Sequence, residues 1–212
     1  MNKLDDKFAF FEIKPEQDRC LNLQQIFGNA HPVHLEIGSG RGEFLVHQAQ
    51  ENPEINFVAI ELKEKRIKTI LRQLDAETHK NVRLMKLYVD AKVTSILPAE
   101  SFQMIYIIHP DPWPKRRHHS RRLIQQNFID VLWKLLLPAG RIRLSTDHTG
   151  YADWIVNEFS RRPDFVSVYE NGFTCDPPEN HFETFFEKVK RKEGFPPYFM
   201  EFEKRICKRG RR

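Results

Sequence analysis

Val33-His34-Leu35-Glu36-Ile37-Gly38-Ser39-Gly40-Arg41-Gly42 decides how the rest of the chain is read. Val33 to Ile37 is a short, mostly apolar run of the kind buried in a parallel sheet, and Gly42 to about Asn52 carries a helical pattern. The glycines fall where strand meets helix. There they let the backbone turn at positive φ and let a ligand approach the main chain with no Cβ in the way. A nicotinamide site prefers GxGxxG with a helix N-terminus aimed at pyrophosphate; here the spacing is GxGxG and Glu36 stands beside it. That carboxylate disfavours a phosphate ligand and suits a positively charged one.

Outward from this junction, apolar runs alternate with helical patterns, the rhythm of an α/β sheet. Strands are expected at Phe57 to Glu61, Val82 to Leu87, Gln103 to Ile108 and Arg141 to Thr146. Helices are expected at Leu62 to about Thr78, at Leu123 to Leu137 closed by Pro138 and Gly140, and at Gly150 to Arg162. Beyond them, Phe165 to Glu170 and Tyr198 to Ile206 read as strands joined by a long irregular segment, Asn171 to Pro197. The alternation of Phe199, Glu201 and Glu203 with Met200, Phe202 and Lys204 suits an edge or antiparallel strand. Residues 1–30, with Leu21, Leu23, Ile26 and Phe27 at loosely helical spacing, read as an arm packed on a domain of residues 31–206, and residues 207–212 as a basic tail.

Acids recur at the carboxyl ends of successive strands. Glu61 closes the second strand 21 residues after Gly40, where an acid accepts hydrogen bonds from ribose hydroxyls in doubly wound folds. Asp90, just past the third strand, has the chemistry to accept from an adenine amino group. Together with Glu36 they outline a ligand crevice, one suited to a cation such as the methionine end of S-adenosylmethionine.

After the fourth strand comes His109-Pro110-Asp111-Pro112-Trp113-Pro114-Lys115-Arg116-Arg117-His118-His119-Ser120-Arg121-Arg122. Two prolines leave the Asp111 carboxylate few places to point, and a dense basic run follows at once. The formal charge is +5. Five cations from Lys115 to Arg122 and six from Lys204 to Arg212 have no acid among them, and removing those eleven from +5 leaves the rest of the chain at −6. A chain that is basic through two short segments fits a polyanionic partner.

Composition excludes other classes. Hydrophobic content of 40% with 17 Phe argues for an aromatic-rich core and against disorder. No apolar run approaches the roughly 18 residues needed to span a bilayer, and the N-terminus lacks the pattern of a signal peptide, so a cytoplasmic protein with no membrane association is expected. Cys20, Cys175 and Cys207 form no CxxC pair; they are read as packing residues, with no metal site.

With Leu35-Glu36-Ile37-Gly38-Ser39-Gly40-Arg41-Gly42, Ile60-Glu61 and the PDPWPKRRHHSRR run in this order and spacing, the chain resembles the tRNA (guanine-N7-)-methyltransferase family over about residues 30–205. The glycine motif is common among class I methyltransferases, whereas PDPWPK followed by RRHH is highly specific. The resemblance implies an α/β, Rossmann-like class I methyltransferase sheet of about seven strands, mostly parallel with an antiparallel C-terminal strand and helices on both faces. It also implies S-adenosylmethionine as donor and the variable-loop guanosine of tRNA, position 46, as acceptor. Carried over, the donor-binding residues match Glu36, Gly38, Gly40, Glu61, Asp90 and Asp111, and Asp111 is the active-site aspartate. Substrate contacts match Lys115, Asp147, Thr184 and Glu187, the last two in Thr184-Phe185-Phe186-Glu187. The family usually has Thr-Lys-Phe-Glu there, so Phe185 replaces a lysine, and Lys188, Lys190 and Arg191 are nearby sources of charge. Arg116, Arg117, Arg121 and Arg122 are expected to grip tRNA phosphates. Trp113 is open to a core or a base-stacking role.

Three other functions fit less well. A base amino-methyltransferase would carry Asp or Asn before Pro-Pro and an aromatic residue after the fourth strand. A noncatalytic RNA-binding domain has no use for Glu36, Glu61 and Asp111 together, and a nicotinamide enzyme is disfavoured by the glycine spacing.

Overall fold

A computed structural model describes residues 3–15 and 19–206. The elements, in order, are α1 (Lys3–Phe11), α2 (Leu23–Phe27), β1 (Val33–Ile37), α3 (Glu43–Glu51), β2 (Asn56–Glu61), α4 (Glu64–Gln73), β3 (Val82–Lys86) and α5 (Val93–Ile96). There follow β4 (Phe102–Ile108), a 3-10 turn (Arg116–Arg121), α6 (Gln126–Leu135), β5 (Leu136–Thr146), α7 (Thr149–Ser160), β6 (Phe165–Ser167), α8 (Phe185–Lys192) and β7 (Tyr198–Lys204). One sheet of seven strands has the order β3-β2-β1-β4-β5-β7-β6. Pairings from β3 through β5 are parallel, and β7 runs antiparallel to both β5 and β6.

Every residue of β1 and β2 is buried, because helices cover both faces of the sheet. Alternate side chains feed two cores. Leu35, Ile37, Val58 and Ile60 pack with Ile129 and Leu132 of α6 and with Tyr151 and Ile155 of α7. Phe57, Ala59, Val82 and Leu84 pack with Leu45 of α3 and with Ile67 and Ile70 of α4. Phe11 of α1 joins this second core, and just beyond it the Ile13 amide donates to the Leu84 carbonyl at 2.8 Å, covering the β3 edge. Among the described residues no helix is long and apolar enough to cross a membrane.

The third glycine of the motif is a packing residue. Gly42 precedes α3 at φ 82°, and a Cβ there would lie 2.7 Å from Cγ1 of Ile70. Gly42→Ala is expected to destabilise the protein by about 2 kcal/mol through backbone strain and overpacking. Thermal unfolding of the variant against the parent checks this; an unchanged midpoint would contradict it.

Several boundaries differ from expectation. The helix expected to reach Leu137 ends at Leu135, and β5 starts at once: Leu136 pairs with Phe102 and Arg141 with Met104, so residues 137–140 bulge out with Ala139 at φ 61°. The strand expected from Phe165 to Glu170 stops at Ser167. The strand at 198–204 is antiparallel and lies inside the sheet, with β6 taking the edge. The segment expected to be irregular from Asn171 to Pro197 contains α8.

Two side-chain expectations are also corrected. Cys20 and Cys175 are exposed rather than packed, and Cys207 lies outside the described residues. Lys204 is not part of a basic surface. It is 3% exposed, and its ammonium donates to the carbonyls of Trp133 (2.9 Å) and Leu136 (2.8 Å) and pairs with Glu100 at 3.0 Å. Of the remaining C-terminal cations Arg205 is exposed, while Lys208, Arg209, Arg211 and Arg212 lie outside the described residues.

Candidate active site

Parallel strands that end together bring their following loops together, and the crevice lies beyond the carboxyl ends of β1, β2, β3, β4 and β5. Gly38, Gly40 and Gly42 all have positive φ, at 82°, 57° and 82°. The turn is fastened from β2: the Gly38 amide donates to the Ile60 carbonyl at 2.8 Å and the Gly40 amide to Oε2 of Glu61 at 2.9 Å. Oε1 of Glu61 accepts from the Lys63 amide at 2.8 Å, and Arg66 stands 3.5 Å from Oε2. Glu61 therefore shapes the glycine turn as well as facing the crevice.

Glu36 is 3% exposed, and its Oε2 has no hydrogen-bond partner among the described residues. Burial, helped by the negative charge of Glu61, pushes its carboxyl up to about 7. A buried carboxylate with an unmatched oxygen beside two open glycines fits a cationic ligand such as a sulfonium amino acid.

Two cavities share a wall built from Gly38 and the segment Ile108 to Asp111. The first, about 470 Å³, has Glu36, Gly40, Arg41, Asp147, Thr184 and Phe186 on its other sides. The second, about 680 Å³, reaches Glu61 and Asp90. Asp90 is half-buried, and its Oδ1 accepts from the Lys92 amide at 2.8 Å. Asp111 is exposed at the junction of the two.

The Asp111 loop is held under strain. His109 and Trp113, each followed by proline, sit at φ 49° and 43°, a left-handed conformation that costs about 1–3 kcal/mol at each position. Arg122 supplies part of the restraint: its Nε donates to the Pro112 carbonyl at 3.0 Å, and its guanidinium lies 5.0 Å from the rings of both Tyr151 and Trp154. Arg122 is 3% exposed, which corrects its reading as a phosphate grip. Arg116, Arg117 and Arg121 remain exposed on the 3-10 turn, with Arg121 lying 5.0 Å from the Trp113 ring. Trp113 is thus half-buried, between His118 and Arg121.

The other expected residues divide. Thr184 lines the first cavity and caps α8, its Oγ1 accepting from the Glu187 amide at 3.2 Å. Asp147 lines the same cavity from the end of β5. Glu187 does not reach it. It is 1% exposed and bound to His181 at 2.9 Å and Arg191 at 2.9 Å, which hold its carboxyl below the usual range despite burial. Lys115 is exposed and outside both cavity walls.

One residue of the crevice went unread in the sequence. The His109 side chain is 7% exposed, lines both cavities, and has no hydrogen-bond partner for either ring nitrogen among the described residues. Nδ1 is 3.9 Å from Asp147, and burial pushes the imidazole down, against the pull of that carboxylate. Its position as the first residue past β4 was the available signal.

A mostly parallel sheet with β7 inserted antiparallel, a glycine turn after β1 and acids at the ends of β1 and β2 define a class I methyltransferase. Residues 30–207 match the family model described as "Putative methyltransferase". The tRNA (guanine-N(7)-)-methyltransferase of Listeria innocua is 34% identical over 202 residues, covering 92% of this chain and 91% of that protein. The enzyme of the same name from an Exiguobacterium species is 35% identical over 188 residues, covering 88% and 86%. The chain belongs to the tRNA (guanine-N7-)-methyltransferase family. The fold is shared more widely: the structure of an rRNA methylase from Streptococcus thermophilus superposes with a TM-score of 0.53 at 14% identity, covering 83% of this chain and 88% of that one.

Proposed function

We propose that this protein transfers the methyl group of S-adenosylmethionine to N7 of the guanine at position 46, in the variable loop of tRNA, acting in the cytoplasm. The observation that carries the reading is the placement of Asp111 where the two cavities meet, with the unmatched Glu36 carboxylate on one side. Residues 31–206 are the methyltransferase domain in this reading, with residues 1–30 an arm on it and 207–212 a basic tail.

Glu36, Gly38 and Gly40 would hold the amino-acid end of the donor, and Glu61 and Asp90 its adenosine. Bound there, the donor supplies a methyl group on a sulfonium sulfur, ready for in-line attack. Guanine N7 carries an in-plane lone pair and no proton, so no general base is needed. The protein must align the base and stabilise the positive charge that moves onto the purine. In this reading Asp111 does the second, and accepts from N1–H and the amino group of guanine. Asp147 and Thr184 line the cavity that receives the base. Lys115 fits a contact with RNA outside that cavity, and Glu187 contributes by fixing the start of α8 through His181 and Arg191.

Arg116, Arg117 and Arg121 fit phosphates of the acceptor. Replacing Arg116 and Arg117 with alanine is expected to flatten the dependence of log K on log salt by about 1.4–1.8. Filter binding across a salt series measures it, and an unaltered slope counts against this surface.

Methyl transfer to two tRNA transcripts tests the function. Guanine at position 46 should take up labelled methyl, and the same transcript with adenine there should not. Equal incorporation in both would refute the assigned acceptor.

A further inference from the structure

A nucleotide that enters the first cavity brings its phosphates to the rim, where a cation is needed to hold them. This step rests on the proposed acceptor. Among the described residues, the cationic side chains lining that cavity are Arg41 and Arg66. Arg66 is committed to Glu61 at 3.5 Å. Arg41 is exposed and makes no salt bridge among the described residues, and its guanidinium lies 5.9 Å from the centre of the Phe185 ring. An arginine resting on an aromatic ring keeps N–H donors at its edge available for phosphate oxygens.

Neighbouring groups that compete for this task are engaged elsewhere. Arg191 is bound to Glu187 at 2.9 Å and to Glu183 at 3.2 Å, and Lys190 to Glu193 at 2.8 Å. Lys188 is exposed and outside the cavity wall. The start of α8 offers little to an anion, since the Phe185 amide donates to Oε2 of Glu43 at 2.7 Å and the Glu187 amide to Thr184. That same bond to Glu43 fixes the Phe185 backbone, and with it the surface on which Arg41 rests.

We infer that Arg41 is the phosphate-contacting residue of the acceptor cavity, seated by Phe185.

Equilibrium binding of tRNA to the protein over a salt series tests this without relying on methyl transfer. Arg41→Ala should raise the tRNA Kd about tenfold and lower the salt slope by about 0.7–0.9, the contribution of one phosphate. The donor Kd should stay within about twofold, which separates a contact with tRNA phosphate from one with the donor, since Glu36, Gly38 and Gly40 line the same cavity. Arg41→Lys should fall in between. An unchanged tRNA Kd and slope in Arg41→Ala would overturn the inference. So would equal losses of donor affinity and thermal stability with the slope intact, the mark of a structural role. If the unmodified protein bound tRNA but methylated no guanine, the proposed function would fall while the Arg41 contact stood.

Discussion

Asp111→Ala is expected to lower the single-turnover rate of methyl transfer about 100- to 1000-fold at saturating tRNA, with a much smaller change in donor affinity. The magnitude is that of removing one preorganised electrostatic partner from a developing charge, about 3–4 kcal/mol. The loop explains why it should be so large. Pro110, Pro112 and the Arg122 bond to the Pro112 carbonyl hold in place the backbone that carries the carboxylate, so little of the loop has to reorganise when the base arrives. The alanine variant keeps those restraints, and a melting temperature near that of the parent would show that only the carboxylate has gone. Rapid-quench kinetics and a separate donor titration measure the two effects, and an unchanged rate would remove Asp111 from the chemistry.

Glu36→Gln is expected to act in opposite directions on stability and binding. The carboxyl is pushed up to about 7 in the ligand-free fold, against an ordinary value of 4.5. An acid whose folded value is raised contributes stability that is complete below the unfolded value and is lost as pH rises through the folded one. Ionising Glu36 therefore costs the empty fold about 3 kcal/mol by pH 8, an order-of-magnitude figure from the size of the shift. Glutamine removes that cost, so the variant should be more stable than the parent at pH 8 and nearly equal to it at pH 4.5. Donor affinity should fall at least tenfold, and the parent's own affinity should weaken as pH drops below about 7. Denaturant melts at the two pH values, paired with donor titration, test both arms. A variant no more stable at pH 8 that still binds donor would contradict the role of Glu36.

The crevice was legible because parallel strands buried on both faces read as apolar runs, and a carboxylate or glycine at the end of such a run stands out. Glu36 and Glu61 stand out in this way, and Asp111 by the prolines on either side of it and the basic run that follows. Other features depend on partners far along the chain. Arg122 looks like its neighbours in a basic run, and its burial depends on Tyr151 and Trp154, about thirty residues later. Lys204 is drawn inward by Trp133 and Glu100 in the same manner. His109 gains meaning when β4 and β5 pair and bring Asp147 beside it. The helix α8 offers only Phe185, Phe186 and Val189 as an apolar stripe, too short to stand out in a polar segment, yet Thr184 and Glu187 stand at the spacing of a helix start, a signal that was available in the sequence.

Guanine N7, which needs no base to deprotonate it, is the atom proposed to receive the methyl group. Nucleoside analysis by mass spectrometry, after incubating the protein with labelled S-adenosylmethionine and unmodified tRNA, tests this most directly. The label should appear as 7-methylguanosine. Label in 1-methylguanosine, N2-methylguanosine or a methyladenosine would contradict the account.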